Sequence, residues 1–334
     1  MDVSVERDES CFDLPEWKDL LRRDRDRHLF ATPEWNRLWW EEFGSDKDLL
    51  VLTMSRYSEV VAIVPLYRKT EDGRQVLRFI GGIDLTDYLG PICSSDDRED
   101  VAHTLVDWLT ATDVAWDEFD AHNLPVPFGF SEFLVDWADR RGLDFFIDQE
   151  DTTAVLPLPG DWDSYLESLG PKNRHELKRK RRKLERLHPD AVLRSSTDET
   201  LDIDLKSFID MHRDAEGHKG RFMRPAIATF FERVARAFSP LGWLRLDLLE
   251  IAGTPIASTF GFQLGSRFYL YNSAYEPEFS SVSPGFTIVS ELIRRSLDEG
   301  VKLVDFLRGS ERYKYEFGAQ AVPLDNVRIS RRIG

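Results

Sequence analysis

Residues 255–307 read PIASTFGFQLGSRFYLYNSAYEPEFSSVSPGFTIVSELIRRSLDEGVKLVDFL, and this stretch decides the fold. Two apolar runs, Pro255–Leu264 and Arg267–Ala274, flank a Gly265-Ser266 turn, the pattern of a strand pair. The loop beyond them ends on Ser283-Pro284-Gly285. Serine suits a helix N-cap and proline suits the first helical position, so a helix is expected from Pro284. Val289, Leu292, Ile293 and Leu297 then recur on one helical face, and Gly300 suits the helix end. Lys302–Leu307 (KLVDFL) supplies the next strand.

Working outward, Leu244–Ile251 reads as a strand turned by Gly253. A short helix near Glu311–Phe317 and a strand near Asn326–Ser330 close the chain. The first half repeats the same grammar. Strands are expected at Leu49–Met54, Val60–Tyr67 and Val76–Ile80, and the segment Asp84–Ile92 leads to a helix at Arg98–Thr110. A strand at Trp116–Asp120 and a helix at Phe130–Arg141 follow, then strands near Phe145–Ile147 and Thr153–Leu158. Aligning Phe119 with Phe306 offsets the halves by about one domain length, the mark of a duplication. The halves are expected to divide as 1–158 and 159–334. Between them lies Pro159-Gly160, then a helical stretch to about Leu187. It holds KNRHELKRKRRKLER, with nine Lys/Arg from Lys172 to Arg186.

A length of 334 residues suits two domains, and 42% hydrophobic residues suffice for cores. The net charge of −16 disfavours DNA or anionic lipid as a nonspecific partner. Two cysteines, Cys11 and Cys93, make neither a disulfide framework nor a four-ligand zinc site. The N-terminus lacks the pattern of a signal peptide, and no apolar run is long enough to span a bilayer. A cytoplasmic protein without a transmembrane segment is expected, and a homodimer is compatible with these features.

Three features are candidates for chemistry. The first is the junction Glu278–Phe286, where a helix N-terminus offers free backbone N–H groups and partial positive charge to a phosphate, although an ordinary capped helix looks the same. The second is LRGSERYKYEFGA (Leu307–Ala319), where Arg308, Glu311, Arg312, Lys314 and Glu316 crowd a strand exit. Ligands of open α/β sheets bind beyond strand C-terminal ends; a plain Glu311–Lys314 helical ion pair is the bland alternative. The third is the basic helix, which suits a solvated face, a nucleotide cofactor's phosphates or RNA phosphates. His212 and His218 lack a third ligand for a metal site, and no metal is expected. Asp87-Tyr88 follow a strand of the first half, and no GxSxG, P-loop, GxGxxG or HExxH pattern occurs.

Taken in order, three stretches of the second half resemble the GNAT superfamily, in the branch called CelD-like, related to Fem-type peptidoglycan aminoacyltransferases. They are KNRHELKRKRRKLER, YNSAYEPEFSSVSPGF and VDFLRGSERYKYEFGA, the last similar to a Fem-type ending F-K-x-x-F-G. The first half resembles the matching N-terminal domain through ATPEWNRLWWEEFG, VVAIVPLYR and LRFIGG…DYLG. The resemblance implies an α/β (α+β mixed-sheet) fold of two tandem GNAT-like domains, each a twisted sheet flanked by helices. It implies an N-acyltransferase that uses acetyl-CoA or another acyl-CoA, held where Arg267–Ala274 and Lys302–Leu307 splay apart.

On that resemblance, Ser283, Pro284, Gly285 and Phe286 would receive the pyrophosphate, with Arg174 as a clamp. Asp305 or Glu311 would accept the amine proton, Lys314 would stabilise the oxyanion, and Tyr275 or Tyr313 would protonate the leaving thiolate. Arg308, Asp87 and Tyr88 would hold the acceptor, a small molecule or glycan precursor. The first domain, with SSDDRED ahead of its helix, is expected not to bind CoA. The usual GNAT loop Q/R-x-x-G-x-G/A is reduced here to SPGF. The alternatives are a Fem-like enzyme using aminoacyl-tRNA and a degenerate, non-enzymatic scaffold.

Overall fold

The structure is a computed structural model, and it describes residues 1–213 and 222–332. The chain divides into two compact units, Met1–Thr152 with Val322–Gly334, and Thr153–Ala321.

In the first unit the elements run β1 (Asp2–Glu6), α1 (Pro15–Arg23), α2 (Pro33–Phe43), β2 (Asp48–Arg56), β3 (Glu59–Glu71) and β4 (Arg74–Phe79). Next come α3 (Gly82–Leu85), β5 (Ile92–Cys93), α4 (Arg98–Ala111), β6 (Glu118–Pro125), α5 (Phe130–Arg140) and β7 (Asp144–Pro157), whose last residues belong to the second unit. The second unit continues with α6 (Trp162–Ser168), α7 (Pro171–Leu187), β8 (Val192–Ser195), α8 (Leu201–Arg213) and α9 (Pro225–Phe238). It then runs β9 (Leu244–Ile251), β10 (Thr254–Leu264), β11 (Arg267–Tyr275), α10 (Pro284–Asp298), β12 (Leu303–Arg308) and α11 (Arg312–Glu316). The last strand is β13 (Gln320–Ser330).

Proline opens α1, α2, α7, α9 and α10, where its missing N–H costs nothing. Thr32 caps α2 by accepting from Trp35 N, and Asp161 caps α6 by accepting from Ser164 N.

The duplication is visible in strand order. The first unit runs β1-β2-β3-β4-β6-β13 and the second runs β8-β9-β10-β11-β12-β7. In each, one neighbouring pair is parallel, β4 with β6 and β11 with β12, at the same place in the order. The sixth strands differ from the expected division into 1–158 and 159–334. Thr153–Pro157 of β7 pairs with β12, and β13 pairs with β6. Val327 and Ile329 of β13 are fully buried in the first unit's core beside Phe119 and Leu105. Apolar alternation reveals that a strand exists; register with a distant strand decides which sheet receives it.

The second unit's core places Val289, Leu292, Ile293 and Leu297 of α10 against Phe268, Leu270, Val304 and Phe306, as the helical spacing requires. Among the described residues no helix is long and apolar enough to cross a membrane, and no group of three His, Cys, Asp or Glu is placed to hold a metal. His212 is buried on α8, and His218 lies outside the described residues.

Candidate active site of the second unit

β11 and β12 pair over three rungs only: Arg267 with Leu303, Phe268 with Val304 and Tyr269 with Asp305. Beyond them both strands bulge. Between Phe260–Asn272 and Gly261–Leu270, β11 carries one residue more than β10, which leaves Tyr271 in the bulge. Between Asp305–Val155 and Arg308–Thr153, β12 likewise carries one residue more than β7, and Leu307 there turns left-handed at φ 59°. A bulge bends its strand and sharpens its twist, so two bulges just past the last shared rung drive the strands apart.

A cleft of about 300 Å³ opens in this region of the second unit, lined by Ser273 and Tyr275 of β11, by the first turn of α10, and by Lys180, Tyr313 and Glu316. Ser283 precedes α10, but its hydroxyl does not cap the helix as the sequence suggested. At φ 53° and ψ 53° it is left-handed, whereas side-chain capping needs extended backbone. No acidic residue stands in the first turn of α10, and among the described residues no side chain caps its leading N–H groups. The Gly285 and Phe286 amides therefore present the partial positive charge of a helix end. A side chain at Gly285 would meet Tyr275 Cδ1 at 3.1 Å. Phe286 stacks on Phe317 (4.3 Å between centroids), and Tyr165 Oη donates to the Phe317 carbonyl at 3.0 Å, which fixes this end of the cleft.

Of the residues the sequence pointed to, Ser283, Pro284, Gly285, Phe286, Tyr275 and Tyr313 line the cleft. Burial pushes the Tyr313 phenol well above its usual range. Asp305 is fully buried and committed. Its Oδ2 receives Arg267 Nη2 at 2.7 Å, and its Oδ1 accepts the Leu307 N–H at 2.9 Å. Lys314 is also buried. Its ammonium donates to the Leu307, Arg308 and Gly309 carbonyls at 3.3, 2.5 and 3.1 Å and pairs with Glu311 at 2.9 Å. Glu311 is exposed and does not line the cleft, and Arg308 ends β12. Asp87 and Tyr88 are buried in the first unit, Tyr88 against His28 and Phe30.

Arg174 does not line the cleft; Lys180, further along α7, does, with Nζ 3.7 Å from the Phe286 ring centroid. The helical period carried this signal, since Leu177 and Leu184 are buried and Lys180 and Arg181 lie between them on the same side. Glu316, grouped with its neighbours at the strand exit, is the carboxylate that faces the cleft, paired with Arg312 at 3.0 Å. Ser273 and Ser280 also line the cleft; both stand within YNSAYEPEFSSVSPGF, where residue type alone does not single them out.

Residues 171–315 match the family model described as an acetyltransferase (GNAT) domain. No curated protein sequence matches the chain. The structure of FemX is similar at 12% identity over 98% of this chain and 97% of that one, with a TM-score of 0.66. A conserved protein of unknown function from Bacteroides thetaiotaomicron is similar at 12% identity, covering 98% and 100% of the chains, with a TM-score of 0.61. A tandem GNAT protein from the clavulanic acid biosynthesis pathway, solved without acetyl-CoA, is similar at 11% identity, covering 100% and 99%, with a TM-score of 0.52. The fold is the GNAT fold, and the match to the acetyltransferase (GNAT) family model lies within the second unit.

Proposed function

We propose that the second unit is an N-acyltransferase that moves an acyl group, acetyl by preference, from acyl-CoA to an amine. The observation that carries this reading is the parting of β11 and β12 beyond Tyr269 and Asp305, with an uncapped helix N-terminus lining the cleft. The Gly285 and Phe286 amides suit a diphosphate, and Lys180 adds a cation beside them. The edge of β11 that has parted from β12 suits an extended amide-bearing arm, as a strand takes its neighbour.

In the reaction the amine nitrogen attacks the thioester carbonyl. The C–N bond forms, the C–S bond breaks, and the thiolate leaves with a proton. Backbone N–H groups on the parted edge of β11 suit the developing oxyanion. Glu316 is the base placed to take the amine proton, directly or through water. Tyr275 and Tyr313 are the phenols placed to protonate the thiolate, and Tyr313, held protonated by its burial, keeps a proton to give. Arg308 at the strand exit suits an anionic group of the acceptor, an amino sugar or cell-envelope precursor.

The first unit is proposed to bind no CoA, because the equivalent gap between β4 and β6 holds an Arg78–Asp120 ion pair and Asn326. We place the protein in the cytoplasm and in the CelD-like branch. Calorimetric titration with acetyl-CoA, longer acyl-CoAs and free CoA tests the reading. One site per chain is expected, and silence with every thioester and with CoA would reject it.

One observation favours a second reading, transfer from an aminoacyl-tRNA. Arg174, Lys178, Arg182 and Arg186 recur every fourth residue along α7, and no carboxylate among the described residues pairs with them. They span about 18 Å at 1.5 Å per residue, a ladder fit for successive phosphates. tRNA binding that weakens steeply with salt, alongside silence with CoA, would select this reading.

A further inference from the structure

We infer that Lys314 is a positioning residue whose ammonium holds β12 in the kink that opens the cleft. The inference rests on the proposed transfer reaction for its consequence and on the fold for its geometry. Three successive carbonyls, of Leu307, Arg308 and Gly309, converge on Lys314 Nζ. Carbonyl dipoles aimed at one point repel one another, and only a cation with several N–H donors satisfies all three. The backbone reaches this arrangement through two left-handed residues, Leu307 at φ 59° and Gly309 at φ 106°. A leucine holds that conformation only where its surroundings over-determine it.

Those surroundings are specific. The Leu307 N–H is bound by Asp305 Oδ1 and its carbonyl by Lys314. Asp305 Oδ2 is tied to Arg267 of β11, whose strand shares its last rung with β12 at Tyr269 and Asp305. One carboxylate thus anchors the last joined rung while its other oxygen starts the departure, and Lys314 completes it. Lys314 and Asp305 are both buried, and a buried charge stays only when paired and hydrogen-bonded, as each of these is.

Lys314 itself does not line the cleft, but Tyr313 and Glu316 on the same short helix do. The lysine therefore acts twice. It keeps the strands apart, and it pins α11 so that those two side chains face the opening.

The test is Lys314→Met, read by hydrogen exchange over residues 303–312, by calorimetry with free CoA and by acyl transfer. As a brace, its loss should speed exchange across Phe306–Glu311 and weaken CoA at least about tenfold. The pH–rate profile should keep its shape. Wild-type exchange and wild-type CoA affinity beside a collapsed turnover would overturn the inference and put Lys314 on the reacting atoms. Wild-type behaviour in all three would also overturn it. If wild type binds no CoA, the exchange arm still decides the brace while the transfer reading fails separately. Should Met at this site prevent folding, Lys314→Gln serves: its amide reaches two carbonyls, so exchange should be intermediate, and exchange equal to wild type would overturn the brace.

Discussion

Arg78 and Asp120 face each other just past the first unit's parallel strand pair, with Arg78 Nε at 2.9 Å and Nη2 at 2.8 Å from the same Asp120 Oδ2. The corresponding strands of the second unit part around a cleft; here the two side chains bridge the gap. His122 joins them, with Nε2 2.9 Å from Asp120 Oδ2 and Nδ1 2.6 Å from Glu150 Oε2.

The pH dependence of the first unit follows from that cluster. Burial opposes a charge on His122, but hydrogen bonds to Asp120 and Glu150 outweigh it and raise the ring from 6.5 to about 9. A raised histidine contributes stability that is complete below its unfolded value and is lost as pH climbs through its folded value. The thermal midpoint should therefore fall as pH rises from 6.5 to about 9, and His122→Gln should flatten that slope. A slope unaltered in the variant would mean that His122 is not charged in the folded chain.

Ser283 offers a second test, because its place before α10 suggests a cap that the left-handed backbone denies. Replacing a working serine cap with alanine costs about 1 kcal/mol. Ser283→Ala should instead change stability by less than about 0.5 kcal/mol in urea unfolding, as an unremarkable surface site would. It should also keep its affinity for CoA, since the backbone amides of Gly285 and Phe286 remain. A full capping loss would place the hydroxyl on the helix after all.

Local grammar made much of this architecture legible. The proline that opens α10, the face Val289-Leu292-Ile293-Leu297 and the repeat about Phe119 and Phe306 each write their element in adjacent residues. What stayed hidden depends on contacts distant in sequence. Nothing near Gln320 says that β13 completes the sheet of β6. Nothing near Lys314 says that three carbonyls will meet it, because that requires the left-handed turn at Leu307, a residue whose type argues against one. The candidate site was legible as a region, but the division of labour within it was not. Asp305 and Lys314 carry charges that the fold consumes, while Glu316 and Lys180 carry charges that it leaves facing the cleft.

The turn after β12 should be intolerant of any side chain at Gly309. At φ 106°, alanine is strained by roughly 1–3 kcal/mol, and its Cβ would sit 2.3 Å from Glu311 Oε2. Glu311 is exposed and can swing away, so the backbone strain sets the loss. Gly309→Ala should lower the unfolding free energy measured in urea by that amount. Gly309→Ala combined with Glu311→Ala should recover little of it, whereas full recovery would assign the effect to the carboxylate contact.

Glu316 and Glu311 separate the chemistry from its frame. Glu316 lines the cleft, whereas Glu311 does not and is paired to Lys314. A general base contributes about 10²–10⁴-fold to a rate, so Glu316→Gln should cut acyl transfer by about a hundredfold or more. Because a glutamine fills the same space, CoA affinity should hold, and the loss should fall on kcat rather than KM. The acid limb of the pH–rate profile should disappear with the carboxylate, since the variant has no group there to lose its proton. Glu311→Ala should leave that limb in place and lower the rate less, acting only through the Lys314 brace. Wild-type turnover in Glu316→Gln would remove it from proton transfer, and the amine would then have to reach the thioester already deprotonated by solvent.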